Sequence, residues 1–547
     1  MRTFLVGVLV GCGSVGPDLG EATGPWPRND GCEAPPPLGF DPATAYAWSA
    51  PTPDHLVTSP ASEGPGTLRE ALAQAMEGDV IGFAPDLAGQ VIEVDDELIV
   101  RRSLTIDASA APGVVLDGRG RTRIMTLEKA LNSTLVGLTF RNGDTREEAG
   151  ALWVRQADRG DPENPNPLGS VAIIGCRFEH NRGAAAGAVL VGWRIEAVIR
   201  DSVFLGNDGT RGEREQRGKS GGAVATRQNA SLRIERSSFV GNRGAKSGAV
   251  YNILEPVAVY DSIFVDNEAT EGSGAFFTDG GNGAGPSNDP DAGAVGEITL
   301  IRVRIQGNRG TGDGGALLLW GYPRDTIRIE HSVVHDNATT GDKGGAGRVH
   351  GLTDVRIVSS SFTDNHSGQQ GGGLWIDGRG DVEIHNATFS GNSVERDAGA
   401  GFAYHGEGDL HVSHSLFAYN VAGRAAGAFW IRPAIEGTAM NNLFAFNEVG
   451  ENQGERHLGG GRLTDLGGHL EFVKTDVDRG RAYPDSTFAD PQLGALEVVN
   501  GTMLHAVAAN SPAIDGGVAG GPEVDARGAR RAGAPDIGPY EVGATCD

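Results

Sequence analysis

Residues 261–277 read DSIFVDNEATEGSGAFF. Phe264 stands three residues before Asn267, and a Gly-Ala step, Gly274-Ala275, follows seven residues after it. The same short pattern recurs on Asn181, Asn207, Asn242, Asn267, Asn308, Asn337, Asn365, Asn392, Asn420 and Asn447. The last five intervals are 29, 28, 27, 28 and 27 residues, and the earlier ones are 26, 35, 25 and 41. The two longest contain polar insertions, DGTRGEREQRGK and DGGNGAGPSNDPDAG, which a repeat architecture places on outer loops. Eight of the ten units carry Phe three positions before the asparagine, and nine carry Ile, Val or Leu eight before it. Five before it stands a small residue, usually Ser, once Cys176 and once Asn442.

One physical picture accounts for these columns. If each unit is one coil of a parallel β-helix, equivalent residues stack about 4.8 Å apart. Phenylalanines and aliphatics then form continuous inward columns, and the asparagines form an amide ladder at a turn. Glycine lets the backbone bend, and Ala fits where walls approach closely. Helical repeats would need a 3.6-residue period, which these segments lack. The expected fold is all-β, a single right-handed parallel β-helix solenoid of about a dozen coils with a short N-terminal capping helix. That helix is read from TLREALAQA (67–75): Leu68, Ala71, Leu72 and Ala75 share a face, Thr67 is the N-cap, and Glu70 stands three residues on.

Composition agrees. Glycine supplies 85 of 547 residues, aromatics only 6%, and 39% apolar is too much for a disordered chain. A net charge of −25 argues against nucleic acid, whose phosphates need basic patches. The opening MRTFLVGVLVGC has one Arg and a short apolar run before Gly11-Cys12, the pattern of an export signal and too short to span a bilayer. The expected organisation is a lipoprotein-type signal over 1–12, a Pro/Gly-rich tether over 13–54, an N-terminal cap and first coils over 55–130, β-helix repeats over 131–460, and C-terminal coils and cap over 461–547. Of the four cysteines, Cys176 is expected as a buried thiol, while Cys32 and Cys546 could pair in an oxidising compartment.

LVGC (9–12) resembles a bacterial lipobox, in which the cysteine, here Cys12, carries lipid. Phe-x-x-Asn paired with Gly-Gly-Ala-aliphatic, as in GGAV (221–224) and GGAL (314–317), resembles the repeats of polymorphic outer-membrane proteins, adhesins built on β-helices. VTSPASEGPGTLREALAQAMEGDVIGF (57–83) looks like the entry segment of secreted β-helix proteins with a CSLREA-type motif. GLTFRNG (137–143) is similar to an early coil of pectate-lyase-like folds, and LHAVAANSPAIDGG with DARGARRAGAPDIGPYE (504–541) to the ending of choice-of-anchor Q-type proteins. These resemblances imply a lipid-anchored, monomeric protein at the outer membrane or surface of a Gram-negative cell; as a departure from the adhesins no autotransporter barrel is expected after the repeats, so the lipid would replace it as the anchor. They imply adhesion or binding of a polysaccharide or a cell-surface glycan or protein. A polysaccharide lyase or hydrolase is the alternative, since this fold hosts both.

Function in a stacked coil sits on outward side chains that line up across rungs. Six before the asparagine, Asp201, Arg236, Asp261 and Arg302 alternate in charge, as an ion-pair ladder across strands would. Asp354, Asp381 and Asp409 stand eleven before theirs, three carboxylates in a row, with Arg356, Glu383 and His411 two residues further on and His331, His385 and His414 nearby. Eight of the 13 histidines fall between 331 and 414. By analogy with pectate lyases, Asp354, Asp381 and Asp409 would hold Ca2+ and Arg356 would act as base, with Glu383, His385, His411 and His414 as ligand contacts. The plainer reading is that each Asp caps the turn before its strand. Asp279, Asn282, Asn288, Asp289 and Asp291 form an oxygen-rich segment without calcium-loop spacing, and Asp476, Asp478 and Asp490 carry less weight. Trp153, Trp193, Trp320, Trp375 and Trp430 lie near the Gly-Ala steps; outward they would stack on sugar rings, inward they would pack.

Overall fold

The structure, a computed structural model, describes residues 35–545 apart from 45, 130–131, 157–168, 213–219, 282–295, 342, 451–455 and 474–480. The chain winds into an all-β parallel solenoid of about 14 coils, with only 3% helix. One coil shows the path: Leu232–Glu235, Ser238–Val240, the short Arg243–Gly244, then Val250–Ile253. The next coil begins at Val257–Tyr260, which pairs parallel and in register with Leu232–Glu235. Repetition builds a first, aliphatic sheet and a second, phenylalanine sheet of 15 strands each, a third of eight short strands, and a fourth of 13 after the Gly-Ala steps.

The repeated letters do what the pattern requires. Phe140, Phe178, Phe204, Phe239 and Phe264 stack with centroids 4.6–4.9 Å apart. Ile305 and Val334 interrupt the column, and Phe362, Phe389, Phe417 and Phe444 resume it at 5.0–5.3 Å. Each asparagine binds the coils on both sides. Asn308 Nδ2 donates to Asn337 Oδ1 at 2.9 Å and to the Phe264 carbonyl at 3.0 Å, while its own Oδ1 accepts from the backbone N–H and Nδ2 of Asn267, both at 2.9 Å. All of these side chains are buried, and every amide group is satisfied by the ladder. The serines of the neighbouring column act in the same way: Ser202, Ser237 and Ser262 each accept from the backbone N–H one coil earlier, at 3.0–3.2 Å. Cys176 heads this column as the expected buried free thiol, its pKa pushed up to about 12 by burial. At the Gly-Ala step the coils nearly touch, and a Cβ on Gly222 would lie 1.8 Å from the Gly248 carbonyl oxygen.

The N-terminal end is covered by the helix Leu68–Gln74, with Leu68, Ala71 and Ala75 buried and Leu72 packed against the core. Thr67 Oγ1 accepts the Glu70 N–H at 3.3 Å and Glu70 accepts the Gly66 N–H at 2.6 Å, the expected cap. At the other end the core turns polar. Glu471 takes the place of a phenylalanine opposite Phe444, and its carboxylate accepts the N–H groups of Ala482 at 2.6 Å and Tyr483 at 2.8 Å.

Two stretches depart from expectation. The tether expected over 13–54 is, over its described part, a strap packed along the corner between the first and second sheets. Arg304 donates to the Pro36 carbonyl at 2.9 Å, Asp41 pairs with Arg177 at 2.7 Å, and Trp48 Nε1 donates to Asp107 at 2.7 Å. The Tyr46 ring lies against Gly175, whose φ of +59° and missing Cβ make room for it. Coils end near Phe488; beyond them the antiparallel hairpin Leu493–Val499 and Thr502–Val507 folds back on the second sheet, where Ser361 Oγ donates to the Met503 carbonyl at 2.8 Å. The remaining arm lies on the same corner as the strap, held by Asn386 and Asn441, each donating at 2.8 Å to the carbonyls of Val524 and Val518. Arg527 with Asp525, and Arg531 with Glu541, close the arm in buried ion pairs at 2.6 and 3.0 Å.

The column six before the asparagine is this corner, and not a strand. Its residues adopt left-handed backbone, Asp201 at φ +52°, Arg236 at +41°, Asp261 at +48° and Arg302 at +51°. The expected ion-pair ladder is therefore broken into two bidentate doublets, Asp201–Arg236 at 2.7 Å and Asp261–Arg302 at 2.6 Å.

The ladder makes a specific demand on stability. Asn308→Ala strands the Asn267 donors, the Asn337 oxygen and the Phe264 carbonyl inside the stack, at a cost of roughly 2–4 kcal/mol. The expected result is a lower midpoint in denaturant unfolding, with Asn308→Asp no better because the carboxylate has no proton to pass on.

Candidate functional site

The first sheet carries the residues that the repeat spacing singled out. Asp354, Asp381 and Asp409 do line up one coil apart. Asp354 Oδ1 accepts the Asp381 N–H at 3.1 Å, and Asp381 Oδ1 accepts the Asp409 N–H at 2.9 Å. Two of the three thus serve the start of the next strand, as turn capping requires. Arg356, Glu383 and His411 sit opposite one another in register. Arg356 lies between two carboxylates, 3.5 Å from Glu383 and 3.7 Å from Glu330. His385 Nδ1 shares a hydrogen bond with Ser413 at 2.8 Å, and His411 Nδ1 one with Thr438 at 2.9 Å. Burial lowers the His385 pKa, offset in part by Glu383. His414 lies elsewhere: it occupies the corner bend at φ +48°, fully buried beside Gly521 of the arm, and bonds Asn441 at 2.9 Å. Burial takes its pKa down to about 3, so this imidazole is a neutral packing group and not a surface ligand. Among the described residues, no three His, Cys, Asp or Glu side chains converge as metal ligands would.

A denser constellation lies on the fourth sheet, over the strands Leu317–Gly321, Gly347–Gly351, Leu374–Gly378, Phe402–Tyr404 and Phe429–Ile431. Alternation sends Leu317, Leu319, Val349, Leu374, Ile376, Phe402 and Phe429 into the core. Their neighbours point out: Arg348, Trp375, Ala403 and Trp430 form one row, and Trp320, His350 and Asp377 a second. Trp320 lies 3.9 Å from His350 between ring centroids, and His405 stacks on Trp430 at 4.2 Å with Trp375 behind it at 5.2 Å. Lys343 and Arg348 sit 4.3 and 4.7 Å over the Trp375 ring, which they bury, while Trp320 and Trp430 are partly exposed. Arg348 is held by Asp313 and lies 3.4 Å from Asp377, whose other oxygen is 2.6 Å from His350 Nδ1.

This face therefore offers two accessible indole rings, two imidazoles, two cations and two carboxylates on a rigid sheet. The tryptophans were visible in the sequence as possible sugar platforms; His350, His405, Asp377 and Arg348 were not singled out. Their signal was positional, because each lies an odd number of residues from an inward strand residue after a Gly-Ala step.

Of the other residues read from the sequence, Asp279 accepts the Tyr322 hydroxyl at 2.6 Å, and Asp490 accepts the Gln492 N–H at 2.8 Å. Asn282, Asn288, Asp289, Asp291, Asp476 and Asp478 lie outside the described residues, as do Cys12, Cys32 and Cys546. No helix among the described residues is long and apolar enough to cross a membrane.

No family model matches the chain, and no curated protein does. Among solved structures it is similar to one described as the crystal structure of pectate lyase Pel9A, at 13% identity over 92% of this chain and 99% of that one, with a TM-score of 0.31. At that level the chemistry has to be taken from this chain's own residues.

The aromatic face has a pH signature. Burial and then Lys343 bring the His405 pKa from 6.5 down to about 4. The unfolded chain takes up more protons between those two values, so the contribution of neutral His405 is complete above 6.5 and is lost as pH falls through 4. Thermal midpoints measured across this window should fall with pH, and His405→Asn should flatten part of the slope; His414 accounts for a further part in the same direction.

Proposed function

We propose that this chain is an exported, lipid-anchored β-solenoid that binds glycans on the outer face of its fourth sheet without cleaving them. The observation that carries this reading is the pairing of partly exposed Trp320 and Trp430 with His350, His405 and Arg348 on one sheet face. A pyranose has apolar C–H faces and a rim of hydroxyls, which indole rings and fixed polar groups complement. A sheet whose rungs repeat about every 4.8 Å offers such contacts over a length that an oligosaccharide can follow. Attachment through Cys12 at the outer membrane would present this face to the surroundings, in an adhesive role.

Non-catalytic binding is favoured over cleavage because two of the three carboxylates that would serve as catalysts each spend an oxygen on a strand start. Asp354 and Asp381 cap strands, and Arg356 faces Glu330 and Glu383.

Purified protein screened on a glycan array and then titrated by calorimetry against its best ligand tests the reading. Trp320→Ala and Trp430→Ala should each weaken binding about tenfold, the loss of one stacking contact of roughly 1.4 kcal/mol. Trp375→Ala should instead lower stability, because that ring is buried. Sustained turnover of a polysaccharide, with release of unsaturated or reducing ends that Asp381→Ala abolishes, would overturn the non-catalytic reading in favour of a lyase or hydrolase.

A further inference from the structure

A second opening lies on the same side of the solenoid, many coils nearer the N-terminus. It is a cleft of about 400 Å³ where the turns after Gly118 and Gly143 meet the edge of the fourth sheet. Its floor is Arg123, only 5% exposed, which donates through Nε to the Ala149 carbonyl at 2.9 Å and lies over the Trp153 ring at 4.8 Å. The same guanidinium reaches Glu97 at 3.0 Å and Glu147 at 3.3 Å, so both acids of the wall face a fixed cation. The third acid, Asp144, is met by Arg211 at 2.9 Å and lies 3.7 Å from Arg182.

That pairing leaves Arg121 and Arg146. Both line the cleft, both are exposed, and neither forms an ion pair among the described residues. In a protein of net charge −25, two arginines that form no ion pair among the described residues, above a third buried one, stand out. Guanidinium groups present several N–H donors in a plane, and a tetrahedral oxyanion offers acceptors to more than one of them at once. The cleft also adjoins a hollow of about 580 Å³ beside the capping helix, which shares Glu97 with it and is lined by Arg69, Arg101 and Arg102.

We propose that the Arg121–Arg146 cleft binds a tetrahedral oxyanion, a sulfate or phosphate ester, carried on a sugar. The ester would sit between these two guanidiniums, and the sugar would run toward the fourth sheet, where Trp153 and Arg155 lie on the outward face. This deepens the glycan-binding reading and rests on it only for the sugar, since the oxyanion site stands on the arginines alone.

The test is calorimetric titration of the full chain with dextran oligosaccharides, their sulfated counterparts, inorganic sulfate and inorganic phosphate. The expected result is binding of the sulfated oligosaccharide that weakens as sodium chloride is raised. It should weaken by at least about tenfold in Arg121→Ala and in Arg146→Ala, the loss of a charge-assisted hydrogen bond. Arg121→Lys should lie between, because it keeps the charge and loses the fork. Both arginines are exposed and form no ion pair among the described residues, so unchanged thermal midpoints will show that the variants fold. Inorganic ions binding as tightly as the sulfated sugar would assign the site to the free anion and remove the sugar from the proposal. Sulfated-sugar binding indifferent to Arg121 and Arg146 would overturn it. Loss of binding in Trp320→Ala or Trp430→Ala, with the arginine variants unaffected, would place the ligand on the aromatic face and leave the general glycan reading intact.

Discussion

Everything in this molecule depends on keeping equivalent residues of successive coils in register, and the asparagine ladder is the interaction that enforces it. A one-residue slip in a parallel sheet turns every inward side chain outward. Each asparagine inside the ladder is bonded to the asparagine before it, the one after it and a backbone carbonyl, all away from water. A slipped coil would leave these groups unsatisfied, which costs far more than the apolar contacts of one coil could recover elsewhere. Phenylalanine stacking follows from that register rather than creating it. The column tolerates Ile305 and Val334 in two successive coils, whereas the ladder runs unbroken through Asn308 and Asn337.

With the inward letters fixed, the outer faces are divided among different tasks. The corner between the first and second sheets is covered from one end by the N-terminal strap and from the other by the C-terminal arm. The doublets Asp201–Arg236 and Asp261–Arg302 lie on the same corner, between the coils that Tyr46 and the arm occupy. The fourth sheet receives neither segment in the contacts described above. Its outward rows are left uncovered by strap and arm, with Trp320 and Trp430 partly exposed, and both candidate binding surfaces fall on this side.

What the sequence made legible follows the same division. A column repeated at every coil, such as Phe239 and Phe264 or Asn242 and Asn267, shows its role by recurrence, so the fold, the core and the helix cap were all readable. The corner column was misread because alternation assumes extended backbone, and Arg236 at φ +41° does not have it. His414 went wrong for that reason, and for a second one: what buries it is Gly521, more than a hundred residues away and outside any repeat. The aromatic site was half seen. Trp320 and Trp430 are rare letters that attract attention, but His350 and His405 gain meaning only from the rings beside them in other coils. The strap was taken for a tether because Pro and Gly describe local stiffness and say nothing about Arg177 and Arg304 waiting on the corner.

The strap also has a mechanical consequence. A pull along the solenoid axis loads every hydrogen bond between two coils together, which is the strong direction of such a stack. A pull delivered through residue 35 enters from the side, beside Arg304, and loads the strap's contacts in turn: Pro36, then Asp41, then Tyr46 and Trp48. Bonds opened one after another yield at low force, like a seam unzipped from one end. Residues 36–53 extend to about 60 Å, and peeling them would lengthen the link by the part of that reach which the packed strap does not already span. The solenoid would then be a stiff rod hung on a line that pays out under load.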